Sequence, residues 1–135
     1  MSKSLIQVAN TAEQDITVGS TLPLGTTIRR FGCNLRLSGN TAIEVSGEGY
    51  YTISGTVTLT PDAIGNVGIA VQENGVTIPG TAVTGSVSTV GNSVTLPVEA
   101  TIRKGCNCSG ADQLTLILTE GASAQNTLSL RVEKA

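Results

Sequence analysis

Residues 44–61, "EVSGEGYYTISGTVTLTP", decide the fold. Tyr51, Ile53, Val57 and Leu59 take odd positions, with Thr and Ser between them. A period of two is that of a strand whose side chains alternate between its faces. The same stretch holds both tyrosines of a chain with one Phe and no Trp. Neighbours along a strand point to opposite faces, so Tyr50 and Tyr51 must diverge. One is expected to fill a core. The other is expected to face a neighbouring sheet or subunit, where an aromatic ring with a polar tip is useful.

The same alternation runs outward through the chain. In "SVTLPVEATIR" the apolar positions are Val94, Leu96, Val98, Ala100 and Ile102. "QLTLILTE" sets Leu114, Leu116 and Leu118 on one face, and "TLSLRVEK" sets Leu128, Leu130 and Val132. Asn74-Gly75, between "IAVQE" and "VTI", suits a type I′ hairpin turn, whose central residues need positive φ. Pro61-Asp62, Gly65-Asn66, Gly91-Asn92, Gly110 and Gly121 punctuate the rest. No window keeps an apolar stripe at the helical period over several turns. The pattern predicts roughly eight to ten short antiparallel strands, arranged as an all-β sandwich or jelly roll. Pro97 falls mid-strand without an N–H to donate, which assigns it to an edge or a bulge. "SGNTAIEVSGEG" reads as two turns around a short strand, since it lacks the G-K-[ST] ending and following helix of a phosphate loop.

At 135 residues the chain reads as one domain, 1–135, long enough to bury a core. Hydrophobic residues make up 39% and charged residues 13%, which is the reverse of a disordered composition. The net charge is -2 and the basic residues are scattered, so neither a nucleic acid nor a membrane is expected as partner. No apolar run approaches a spanning length, and the N-terminus lacks a signal-peptide core. Synthesis in a cytoplasm is the expectation. The strand face opposite the apolar one is Thr, Ser and Gly, with added Ile117 and Ala70 and few charges. A monomer usually puts Lys and Glu there, so this second face is expected to pack against a neighbouring subunit.

The inventory for chemistry is thin. There is no histidine, which removes His triads, His metal sites and the commonest general base. Neither G-x-S-x-G nor S-x-x-K occurs, and no acidic run matches a calcium loop. No catalytic residue, metal or cofactor is assigned, and the chain is read as a non-enzyme. The three cysteines are Cys33, in "RRFGCNLRL", and Cys106 and Cys108, in "KGCNCSG". Three thiols in a C-x-C arrangement fall short of the four ligands of a zinc site. Two readings stay open for them. They are reduced thiols used as small apolar fillers, or Cys33 pairs with one of the loop cysteines.

"GYYTISGTVTLT" followed by "GNVGIAVQENGVTIPGTAV" resembles the C1q/TNF-like jelly roll. The likeness is to its bacterial and bacteriophage type, found in collagen-like exosporium glycoproteins and phage virion proteins. Gly49, Tyr51 and Ile53 match the family's glycine–aromatic–apolar opening of a central strand. Asn74-Gly75 matches its hairpin and Gly105 a glycine before its penultimate strand. The likeness runs from about residue 31 to residue 132. "GCNCSGADQL" and the final "TLSLRVEK" depart from the animal members. The resemblance implies a jelly roll of about ten strands that assembles as a compact homotrimer. Gly49, Tyr50, Tyr51, Ile53 and Phe31 would then serve trimer or core packing.

Together these readings give the expectation of a trimeric virion structural protein, made in the host cytoplasm and displayed on the virion surface. A head-decoration protein bound to the major capsid lattice comes first. A receptor- or surface-binding knob of a fibre, tail or spore-surface protein is the alternative. Residues 1–30 would supply the first strands and an anchoring arm.

Overall fold

The computed structural model describes residues 4–11, 14–89, 91–105, 111–121 and 123–134, with backbone alone for 123–126. Among them are twelve strands: β1 (Leu5–Asn10), β2 (Gln14–Ile16), β3 (Thr26–Phe31), β4 (Leu35–Ser38), β5 (Ala42–Val45), β6 (Gly49–Pro61), β7 (Gly65–Glu73), β8 (Val76–Thr77), β9 (Val83–Val87), β10 (Val94–Lys104), β11 (Asp112–Glu120) and β12 (Ser123–Lys134). The prediction of uniformly short strands fails for three of them. β6, β10 and β12 run 13, 11 and 12 residues, because their alternation is not interrupted by a turn residue that could end them.

Two antiparallel sheets form. The first has the order β10–β6–β12–β1–β3, with β2 added on β12. The second has the order β4–β5–β11–β7–β8, with β9 also on β7. The chain crosses from sheet to sheet between β3 and β4, β5 and β6, β6 and β7, β9 and β10, β10 and β11, and β11 and β12. This repeated crossing is what makes a jelly roll out of two stacked sheets.

Alternation places one face of each long strand in the core. Tyr51, Ile53, Val57 and Leu59 of β6 are buried against Val67, Ile69 and Val71 of β7 and the leucines of β11. Burying an aliphatic side chain of this size stabilises the fold by about 1.5–3 kcal/mol. Tyr51 keeps its polar end satisfied inside this layer, since its hydroxyl donates to the Gly47 carbonyl at 2.6 Å. Gly55 interrupts the row because a Cβ there would collide with the Ser129 carbonyl of β12. The Asn74-Gly75 turn has φ of 53° and 84°, the left-handed pair that a two-residue hairpin of this hand requires. Pro97 is exposed on β10, which among the described residues pairs with β6 alone and so is an edge strand.

Two expectations need correction. Ala70 and Ile117 face each other across β7 and β11, in the second sheet, whereas the Thr-rich positions of β6 lie in the first. The single "second face" is therefore two faces on opposite sides of the molecule. Cys33 is no apolar filler: it is exposed in the connection after Gly32, whose φ of 81° is left-handed, and it has no disulfide partner among the described residues. Cys106 and Cys108 lie outside the described residues.

Candidate functional site: the outward face of the first sheet

The even positions of β6 point away from the core: Tyr50, Thr52, Ser54, Thr56, Thr58 and Thr60. Strand register extends each into a row across the sheet. One row reads Thr101, Thr52, Glu133, Leu5 and Phe31, from β10 to β3. The next reads Glu99, Ser54, Arg131, Gln7 and Arg29. Beyond it lie Pro97, Thr56, Ser129, Ala9 and Thr26. Cross-strand neighbours in such rows are close enough to interact directly.

The hydroxyls satisfy one another within the face. Thr58 Oγ1 and Thr95 Oγ1 are 3.0 Å apart, and Thr60 Oγ1 and Ser93 Oγ are 2.8 Å apart. Thr52 Oγ1 donates to the Glu133 carbonyl. Short hydroxyl side chains thus separate the longer charged ones, and those hydroxyls that already have partners lower the cost of dehydrating the surface.

Apolar area gathers along one margin. Phe31 is 63% exposed and stands opposite Leu5, while Tyr50 is 56% exposed with the Arg103 guanidinium 6.0 Å from its ring centroid. Tyr51, one residue on, is fully buried, so the two tyrosines divide between surface and core. Ile53 is buried in the core, and Gly49, with φ of 142°, sits under the Lys134 side chain, which a Cβ there would displace. Phe31 is on the surface and takes no part in the core.

Charge on this face includes Glu99 and Arg103 on β10, Arg131 and Glu133 on β12, and Arg29 on β3. Glu99 lies on β10 and Arg29 on β3, at opposite ends of one row, with Arg131 between them. Among the described residues none of the three has an ion-pair partner. By contrast Arg36 and Glu44, on the second sheet, pair at 2.9 Å. These two, with Arg30, Cys33, Ser46 and Ala111, line an open cleft of about 220 Å³. Arg30 is tethered there by its Nε donating to the Leu35 carbonyl at 2.7 Å.

A second cluster escaped the reading of the sequence. Lys104 closes β10 and is only 2% exposed, with its Nζ 3.8 Å from Asp112 Oδ1. Asn74 Nδ2 also donates to Asp112 Oδ1, at 3.1 Å. Burial first, and then the Asp112 carboxylate beside it, push Glu73 up to about 7. Burial alone would raise Asp112 as well, but hydrogen bonds from Glu73 and Asn74 and the charge of Lys104 hold it below its ordinary value. The signal was present in the sequence. Extending the apolar series 94, 96, 98, 100, 102 by one step lands on Lys104.

Solved structures similar to this one share its fold at low sequence identity. Murine APRIL superposes with a TM-score of 0.76 at 13% identity, covering 99% of this chain and 100% of that one. Eiger TNF from S. frugiperda gives 0.71 at 8% identity, covering 98% and 91%. The globular domain of zebrafish complement 1qA protein gives 0.69 at 6% identity, covering 96% and 94%. No family model matches the sequence, and no curated protein does. The fold is a TNF/C1q-like jelly roll.

Proposed function

We propose that this chain is a non-enzymatic, homotrimeric structural protein of a bacteriophage virion, and that it decorates the head by binding the major capsid lattice. The observation that carries the trimer is the outward face of the first sheet. It is hydroxyl-rich, with exposed Tyr50 and Phe31 at its margin. One register row ends in opposite charges, Glu99 on β10 and Arg29 on β3, while Arg103 lies further along β10 beside Tyr50. A row whose two ends complement each other suits a head-to-tail contact, and such a contact closes into a ring when its rotation allows. Three copies of a weak capsid-binding patch in one body would hold a symmetric lattice by avidity.

A fibre-tip or surface-binding knob is the second reading. It is favoured by Ile64, 63% exposed in the β6–β7 turn at the end of the sandwich remote from Ser4 and Lys134. Incubating purified protein with empty heads and with host cells separates the two. Saturable binding to heads at a fixed copy number supports decoration. Binding to cells alone, with blocked adsorption, replaces it with the knob.

A further inference from the structure

We propose that Lys104 and Asp112 condense within the folded chain to an isopeptide bond between Nζ and Cγ, with Glu73 relaying the protons. This bond depends on neither the trimer nor the virion reading.

An ammonium group withdrawn from water needs a fixed partner, and Lys104 is placed where the core alternation would put an apolar residue. Among the described residues its ion-pair partner is Asp112, 3.8 Å away. The two residues belong to different sheets, Lys104 ending β10 and Asp112 beginning β11. Asp112 cannot swing away freely. Asn74 Nδ2 holds its Oδ1, and Asn74 is itself locked to β11, accepting from Gln113 N at 2.9 Å and donating its own N–H to Gln113 O at 2.8 Å. Glu73, which is paired with Leu114 in the register, lies close enough to Asp112 for the two carboxyls to share a proton. A buried amine therefore meets two partly exposed carboxyls, one of them able to carry a proton, where β10 ends and β11 begins. Holding reactants in this way replaces an unfavourable encounter with an intramolecular step.

The step balances without any further reagent. From an ammonium and a carboxylate, Glu73 gives its proton to Asp112 and takes one from Nζ. The Nζ lone pair then adds to Cγ, and the carbonyl π pair moves onto oxygen. The tetrahedral adduct passes a second Nζ proton through Glu73 to the departing hydroxyl. The C–O bond breaks, its electron pair leaves with the oxygen as water, and the carbonyl re-forms. One amide and one water result, Glu73 returns to its starting state, and nothing is oxidised or reduced. A neutral amide replaces an ion pair whose ammonium is withdrawn from water, which favours the product. A general acid–base group in this position is worth about a hundredfold or more in rate. The bond would staple the two sheets together beside the β7–β8 turn.

The test is mass spectrometry of the full chain, folded, then denatured and reduced, followed by peptide mapping. The expected result is a chain lighter than its sequence by one water, with a branched peptide joining Lys104 to Asp112. Asp112→Ala should have its full sequence mass. Glu73→Gln keeps the size of the side chain and should fold, yet link at least about a hundredfold more slowly. A wild-type chain of full mass after prolonged incubation at neutral pH overturns the proposal. A branch between other residues overturns it too. Linkage of Glu73→Gln at the wild-type rate overturns the role given to Glu73.

Discussion

The outward faces of the two sheets use similar residues to opposite ends. On the second sheet, polar groups are paired locally: Arg36 binds Glu44, and Gln72 reaches Thr77 across the hairpin. Its small residues, Gly68 and Ala70, are buried beneath their neighbours. On the first sheet the hydroxyls are paired but the charges are not, and the aromatic rings at its margin remain in solvent. One face is finished as it stands. The other pairs several of its hydroxyls and, among the described residues, leaves Glu99, Arg131 and Arg29 without an ion-pair partner.

The largest effect that would break this contrast is a charge placed at the centre of the first face. Ser54→Arg sits between Glu99 and Arg131 and should abolish assembly, while Thr115→Arg on the second sheet should leave the mass in solution unchanged. Sedimentation of both variants reads the difference. Tyr51→Ala should cost about 3–5 kcal/mol in chemical denaturation, because it empties a core position. Tyr50→Ala should leave the subunit folded and weaken assembly, so its loss of melting temperature against wild type should grow on dilution. An effect that grows on dilution thus belongs to Tyr50 and plain instability to Tyr51.

Smaller changes sharpen the account. Glu99→Lys should weaken assembly by about tenfold or more, and adding Arg29→Glu should restore much of it, since the swap reverses both ends of the row. Tyr51→Phe should cost about 1 kcal/mol near neutral pH through loss of the hydrogen bond to Gly47. Burial, partly offset by the Gly47 carbonyl, holds the Tyr51 phenol above its ordinary 10.0. The unfolded chain therefore loses that proton first. Stability contributed by Tyr51 is whole below pH 10.0 and is lost as pH rises above it, so the gap between wild type and Tyr51→Phe should narrow in alkali.

Much of the fold was legible because period-two alternation is a local consequence of strand geometry. It separated Tyr50 from Tyr51 and assigned the core positions of β6, β10, β11 and β12. Turn chemistry did the same for Asn74-Gly75, and the missing N–H did so for Pro97. Alternation tells which face of a strand a residue takes, but not which sheet the strand joins. Ala70 and Ile117 were grouped with the β6 threonines for that reason. Phe31 offered hydrophobicity without a period, since all of β3 is exposed. The Lys104 cluster was hidden differently. Its parity was visible, but its partners Glu73 and Asp112 come from other strands, and only the sheet crossing brings them together.

The central claim is the partner face, and the mass of the native protein in solution tests it most directly. Light scattering at micromolar concentration should give a mass near three chains, falling to one for Ser54→Arg. A wild-type mass of one chain, with the same melting point at every concentration, would contradict it.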